Sequence, residues 1–150
     1  SNAAAFHNMV SSFICEGVFA KFSNLKIVLA ESGFTWLPAH LWRLTKFWRG
    51  LRAEIPWVDR PPIEIAREHF RLTLQPIDAP PTPEQLERLM DHMGSDEMLL
   101  YSTDYPHWQF DKTNVIPEGI SKDLVIKIME ENPKNTYPRL SEPLNNGIDQ

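Results

Sequence analysis

Apolar and polar positions follow two different periods along this chain, and the switches between them mark its elements. From Ala4 to Phe22, AAFHNMVSSFICEGVFAKF places Phe6, Met9, Val10, Phe13, Ile14, Val18 and Phe22 close to the helical repeat, which predicts an amphipathic helix. NLKIVLAESG then runs apolar without interruption, predicting a strand over Lys26–Ala30 with Glu31 just past its end and Gly33 breaking the pattern. TWLPAHLWRLTKFWRGLR returns to the helical period, with Pro38 tolerated in the first turn. Residues 53–62, AEIPWVDRPP, are proline-broken and predict an ordered loop. IEIAREHF reads as a short helical approach to a strand over Phe70–Gln75.

DAPPTPEQLERLMDHMG carries a full set of helix signals. Thr82 stands at the N-cap, Pro83 in the first turn, Glu84 and Gln85 near the positive end, and Gly94 at the stop. The run LLYSTDYPHW contributes to a strand over Met98–Ser102, bounded by GSDE before it and Pro106 after it. A last helix is predicted over Lys122–Glu131, followed by ENPKNTYPRLSEPLNNGIDQ, a polar, proline-containing tail expected to be partly disordered. The order helix, strand, helix, strand, helix, strand, helix predicts an α/β fold with parallel strands, and a three-stranded sheet leaves two bare edges.

The strands share a feature that matters for function. The apolar runs ending at Ala30 and Ser102 are each followed by a carboxylate, Glu31 and Asp104, and a turn. In parallel sheets the carboxyl ends of the strands carry the chemistry, because the loops leaving them converge on one crevice. Asp104 is therefore either a functional carboxylate or the opening residue of a turn ahead of Pro106.

Length and charge narrow the class. The 150 residues suffice for one domain with a core, and 15 Lys and Arg against 20 Asp and Glu give a net charge of −5, which disfavours nucleic acid or an anionic membrane as a partner. The WLPAHLWRLTKFWRGLRAEIPW stretch interleaves tryptophans with Arg43, Lys46, Arg49 and Arg52, but its helical spacing predicts a covering helix with one aromatic face. The single cysteine, Cys15, sits at helical spacing among apolar neighbours and reads as a core residue in a reducing compartment. With no apolar run of membrane length and no signal-peptide pattern, the expected location is cytoplasmic. Residues 1–3, Ser-Asn-Ala, read as the remnant of a cleaved affinity tag, which would leave the natural sequence starting inside a helix of a longer protein.

Three stretches together, CEGVFAKFSNLKIVLAESGFTWLP, PEQLERLMDHMGSDEMLLYSTDYPHW and IMEENPKNTY, resemble the carboxyl-terminal half of the amidohydrolase-related (amidohydrolase 2) family. These are metal-dependent (β/α)8 barrels that include aminocarboxymuconate-semialdehyde decarboxylase and the dihydroxybenzoate decarboxylases. The resemblance runs from about Phe13 to Tyr137 and includes the pattern G-x-D-x-x-L-x-x-S-T-D-Y-P over Gly94–Pro106. It implies a partial barrel over residues 4–140 with a polar tail over 141–150, and strands six, seven and eight at Leu25–Ala30, Phe70–Gln75 and Met98–Ser102.

The same resemblance implies metal-assisted hydrolysis or nonoxidative decarboxylation of a small carboxylated or aromatic substrate. Asp104 takes the place of the strand-eight aspartate, a ligand of a divalent ion (zinc, or else manganese) that also handles a proton of the reaction. The decarboxylase branch has a histidine after strand six where this chain has Glu31. That residue is expected to bond substrate, orient a ligand, bind metal itself, or cap the helix starting near Trp36. Trp36 is expected to line the pocket, and His107, on the loop of Asp104, to contact substrate or bond the loop backbone. His40 and His92 read as surface or packing residues. The family's remaining histidine ligands would precede residue 1, so the metal site is incomplete in this chain. Alone it is expected to be inactive, and its bare strand edges would allow a homodimer.

Overall fold

The computed structural model describes residues 3–106 and 115–142. The elements follow the predicted order. Helices α1 (Ala3–Cys15) and α2 (Val18–Lys21) lead into β1 (Ile27–Leu29). Next come α3 (Leu37–Leu51), α4 (Pro62–His69), β2 (Phe70–Thr73), α5 (Pro83–Met93) and β3 (Leu99–Leu100). Helix α6 (Lys122–Ile126) then passes through a π-helical turn at Lys127–Glu131 into α7 (Asn132–Thr136), and a 3₁₀ turn spans Pro138–Ser141. The three strands form one parallel sheet in the order β1-β2-β3. Phe70, Leu72 and Leu74, alternating along β2 and its extension, are fully buried with the apolar faces of the helices. The intervening Arg71, Thr73 and Gln75 therefore face the other side of the sheet. Arg71 stays buried there because its guanidinium donates to the carbonyls of Arg67, Glu68 and Phe70 at the end of α4.

Four expectations are corrected. The strands are shorter than the apolar runs predict, since pairing stops where the chain turns away at each carboxyl end. The first helix is broken rather than continuous. Gly17 adopts φ 74°, a Cβ there would lie 2.5 Å from the Trp57 ring, and the Trp57 indole N–H donates to Cys15 O at 2.6 Å, taking the carbonyl that would continue the helix. The aromatic residues of the α3 region do not share one face. Trp48 is half-buried and bonds Val58 O at 2.9 Å, while Trp42 and Phe47 are exposed. Finally, the start of the expected tail is ordered helix, with Asn132 and Thr136 buried.

Asn132 is buried because the sheet needs it. Leu72 N–H donates to Met98 O and Leu74 N–H to Leu100 O, so alternation turns the backbone groups of Leu99 and Tyr101 to the outer edge of β3. Asn132 Nδ2 donates to Leu99 O at 2.9 Å and to Asp96 O at 2.8 Å, and Tyr101 N–H donates to Ile128 O at 3.1 Å. The π turn makes the last bond available. Asn132 N–H bonds Lys127 O, and the next donor in that pattern would be Pro133, which has no N–H, so Ile128 O is left for the strand. Chain chemistry thus occupies part of one of the two edges expected to be bare. On β1 the same alternation turns Val28 outward, and its N–H and C=O have no partner among the described residues.

Replacing Asn132→Leu leaves the carbonyls of Leu99 and Asp96 without their donor, the first of them buried. The expected result is a loss of about 1–3 kcal/mol in urea unfolding, and an unchanged midpoint would show that the edge does not depend on this side chain.

Candidate functional site

The polar residues at the carboxyl ends of the three strands form one connected group. Glu31, beyond β1, has φ 56°, and Asp104, beyond β3, has φ 60°. These are the described non-glycine residues in the left-handed region, a conformation that costs about 1–3 kcal/mol and persists where surrounding structure enforces it. Between them lies the end of β2. Glu31 N–H donates to Thr73 Oγ1 at 2.9 Å, Thr73 Oγ1 donates to Gln75 O at 3.1 Å, and Gln75 N–H donates to Ser102 Oγ at 3.0 Å. Hydrogen bonds therefore link the three strand ends, from the Glu31 amide through Thr73 and the backbone of Gln75 to Ser102, two residues before Asp104. Gln75, which is buried, also sends its side-chain amide to Val115 O at 3.0 Å.

Glu31 is exposed and Asp104 is half-buried, so the two carboxylates differ in access to water. The turn after Glu31 is held by a residue that the sequence did not single out. Asp78, on the loop after β2, accepts from Phe34 N at 3.2 Å, Thr35 N at 3.4 Å and Thr35 Oγ1 at 2.8 Å. A Cβ on Gly33, which has φ 66°, would lie 2.5 Å from Asp78 Oδ2, so glycine is required by both conformation and space. Helix α3 receives no side-chain cap at Trp36, and Asp78 binds the amides just ahead of it. Neither Glu31 nor any other side chain among the described residues caps α3, so the capping alternative for Glu31 is not observed.

Trp36 is half-buried, with its indole N–H donating to Ser32 O at 3.0 Å and its ring 4.4 Å from that of His7 and 5.7 Å from that of His40. It thus buttresses the Glu31 turn against α1 and α3. His40 stacks on His7 at 4.7 Å and hydrogen-bonds Ser11 Oγ at 3.0 Å, a packing role as expected. Burial, then the neighbouring His7 and Arg43, holds its imidazole below the ordinary histidine value. His92 meets the exposed Trp42 edge-on at 5.2 Å. Burial, reinforced by Glu16, pushes the Cys15 thiol up, which opposes a nucleophilic role. His107 lies outside the described residues.

Among the described residues no group of three or more His, Cys, Asp or Glu side chains could hold a metal ion. Asp104 and Glu31 do not by themselves fit such a centre, and any metal would need donors from elsewhere. A groove of about 380 Å³ between the turn before α3 and helix α5 is lined by Thr35, Asp78, Pro80, Arg88, Leu89 and His92 among others, with neither strand-end carboxylate in it. Among the described residues, no helix is long and apolar enough to cross a membrane.

The residues found by structure rather than sequence are Thr73, Gln75, Asp78 and Ser102. Gln75 carried a readable signal, a polar residue closing an apolar strand as Glu31 and Asp104 do.

The amidohydrolase family matches residues 3–139, and the chain belongs to it. Its backbone is similar to the crystal structure of an amidohydrolase from Mycobacterium avium subsp. paratuberculosis K-10, with a TM-score of 0.64 and 22% identity. That match covers 90% of this chain and 33% of the other, so the chain spans about a third of that protein's length. No curated protein matches the chain.

Two predictions follow the geometry of the Glu31 turn. Because folding holds His40 below the ordinary value of 6.5, the unfolded chain takes up the proton first. The stability it contributes is complete above pH of about 6.5 and is lost as pH falls through the lower folded value. Denaturation midpoints of the wild-type chain are expected to decline over that window more steeply than those of His40→Gln, and equal slopes would exclude His40 as the source. Asp78→Ala is expected to lose about 1–2 kcal/mol in urea unfolding through its unsupported turn amides.

Proposed function

We propose that this chain is the carboxyl-terminal part of a (β/α)8-barrel enzyme that hydrolyses, or decarboxylates without oxidation, a small carboxylated or aromatic substrate. The single observation that carries this reading is the half-buried Asp104 in left-handed backbone at the carboxyl end of a parallel strand, on the same rim of the sheet as Glu31. Family membership and partial coverage of a longer amidohydrolase support it. Asp104 acts as the catalytic carboxylate, accepting a proton from attacking water in hydrolysis. Glu31, more exposed, bonds substrate at the rim, with His107 as a further contact and Trp36 as the support of the Glu31 turn.

A divalent ion, zinc or manganese, would polarise the reacting group when bound. Asp104 would be one of its ligands, with the others coming from outside this chain.

The test uses both the isolated chain and the longer enzyme that contains it. The isolated chain is expected to bind divalent metal well below one equivalent by elemental analysis and to show no turnover. Asp104→Asn in the longer enzyme is expected to lower kcat by at least about 100-fold, the lower range for losing a general base. Full metal loading with turnover by the isolated chain would overturn the partial-barrel reading; an active Asp104→Asn enzyme would overturn the assigned role.

A second reading is favoured by the outward backbone of Val28. The chain would be a catalytically silent partial barrel that pairs with a second copy through the β1 edge, next to the exposed Phe22 and Leu25 that precede the strand. A monomeric mass in solution counts against it.

A further inference from the structure

We infer that Thr73 is the positioning residue of this site, using its hydroxyl to hold the Glu31 backbone in the conformation that presents the carboxylate; the inference rests on the proposed role of the strand ends. The β1–β2 register, Leu29 beside Leu72, would carry a continuing ladder from Glu31 N–H to the main-chain carbonyl of Thr73. The chain instead turns at Glu31, to φ 56°, and the Thr73 side chain supplies the acceptor. A hydroxyl has one proton to give and lone pairs to receive, and both capacities are used in sequence here, from Glu31 N–H and onward to Gln75 O.

Thr73 suits this place for three reasons. It sits on the central strand, whose neighbours on both sides are paired, so its oxygen is fixed by the sheet. Its side chain lies on the face opposite the buried Phe70, Leu72 and Leu74, where it can reach the strand ends without interrupting the core. Its β-branched side chain also has few rotamers, which keeps the hydroxyl aimed. Valine would preserve shape and branching while removing both hydrogen bonds, whereas serine would preserve the hydroxyl. The position therefore separates the hydrogen bond from the packing.

Amide hydrogen exchange on this chain tests the holding, and turnover by the longer enzyme tests its consequence. In Thr73→Val, exchange at Glu31 is expected to quicken about 3- to 10-fold, the scale of one net hydrogen bond, with Leu72 exchange unchanged and Thr73→Ser restoring the wild-type rate. If Thr73→Val does not fold, the Glu31→Gly background keeps the test open. Glycine adopts φ 56° without strain, so Thr73→Val is expected to fold there; failure to fold in that background as well would overturn the inference. Unchanged Glu31 exchange in a folded Thr73→Val chain would also overturn it. In the longer enzyme, Thr73→Val is expected to lower kcat with serine rescuing it. A kcat unaffected by Thr73→Val but abolished by Asp104→Asn would reject positioning by Thr73 while leaving the proposed reaction intact.

Discussion

The structure depends on β2 being paired on both sides while one of its faces packs into the apolar core. Phe70, Leu72 and Leu74 are wholly removed from water, and burial of side chains of this size stabilises by about 1.5–3 kcal/mol each before the cost of ordering them. Because the neighbours run parallel to β2, every connection must cross back over the sheet, and helices α3 to α5 provide those crossings. Parallel pairing also places all three carboxyl ends on one rim. Glu31, Gln75 and Asp104 lie more than 25 positions apart in sequence from one to the next, and the ladder alone makes them neighbours in the fold.

Where a ladder stops, its backbone groups still need partners. This chain answers with side chains at the carboxyl-end rim: Thr73 for the amide of Glu31, Ser102 for that of Gln75, and Asp78 for the turn leading to α3. The hydrogen bonds that end the sheet are thus the ones that order the candidate site. The β3 edge shows the same economy, with Asn132 and the Ile128 carbonyl meeting groups that another strand would otherwise meet. An edge partly occupied in this way is less suited to pairing with a second copy than the β1 edge.

Much of the fold was legible locally. Thr82 accepts from Gln85 N–H, Pro83 opens α5 and Gly94 closes it at φ 61°, as the sequence signals require. The order of elements and the placement of Glu31 and Asp104 beyond strand ends could likewise be read from apolar periodicity, because each depends on residues within one or two turns of one another. The same local reading stretched the first helix through Gly17, whose role as a stop is completed by Trp57, 42 positions from the Cys15 carbonyl it binds.

What the sequence by itself determined was the class of fold, its parallel order, and the two carboxylates offered at strand ends, since periodicity and turn chemistry are short-range properties. Tertiary structure alone decided which groups hold them. The partners of Glu31 and Phe34 lie 42 and 44 residues away, and that of Gln75 lies 27 away, at Ser102. Threonine, serine and aspartate have hydrogen-bonding capacity wherever they occur in a chain, and only the register of the folded strands selects which backbone group each one meets.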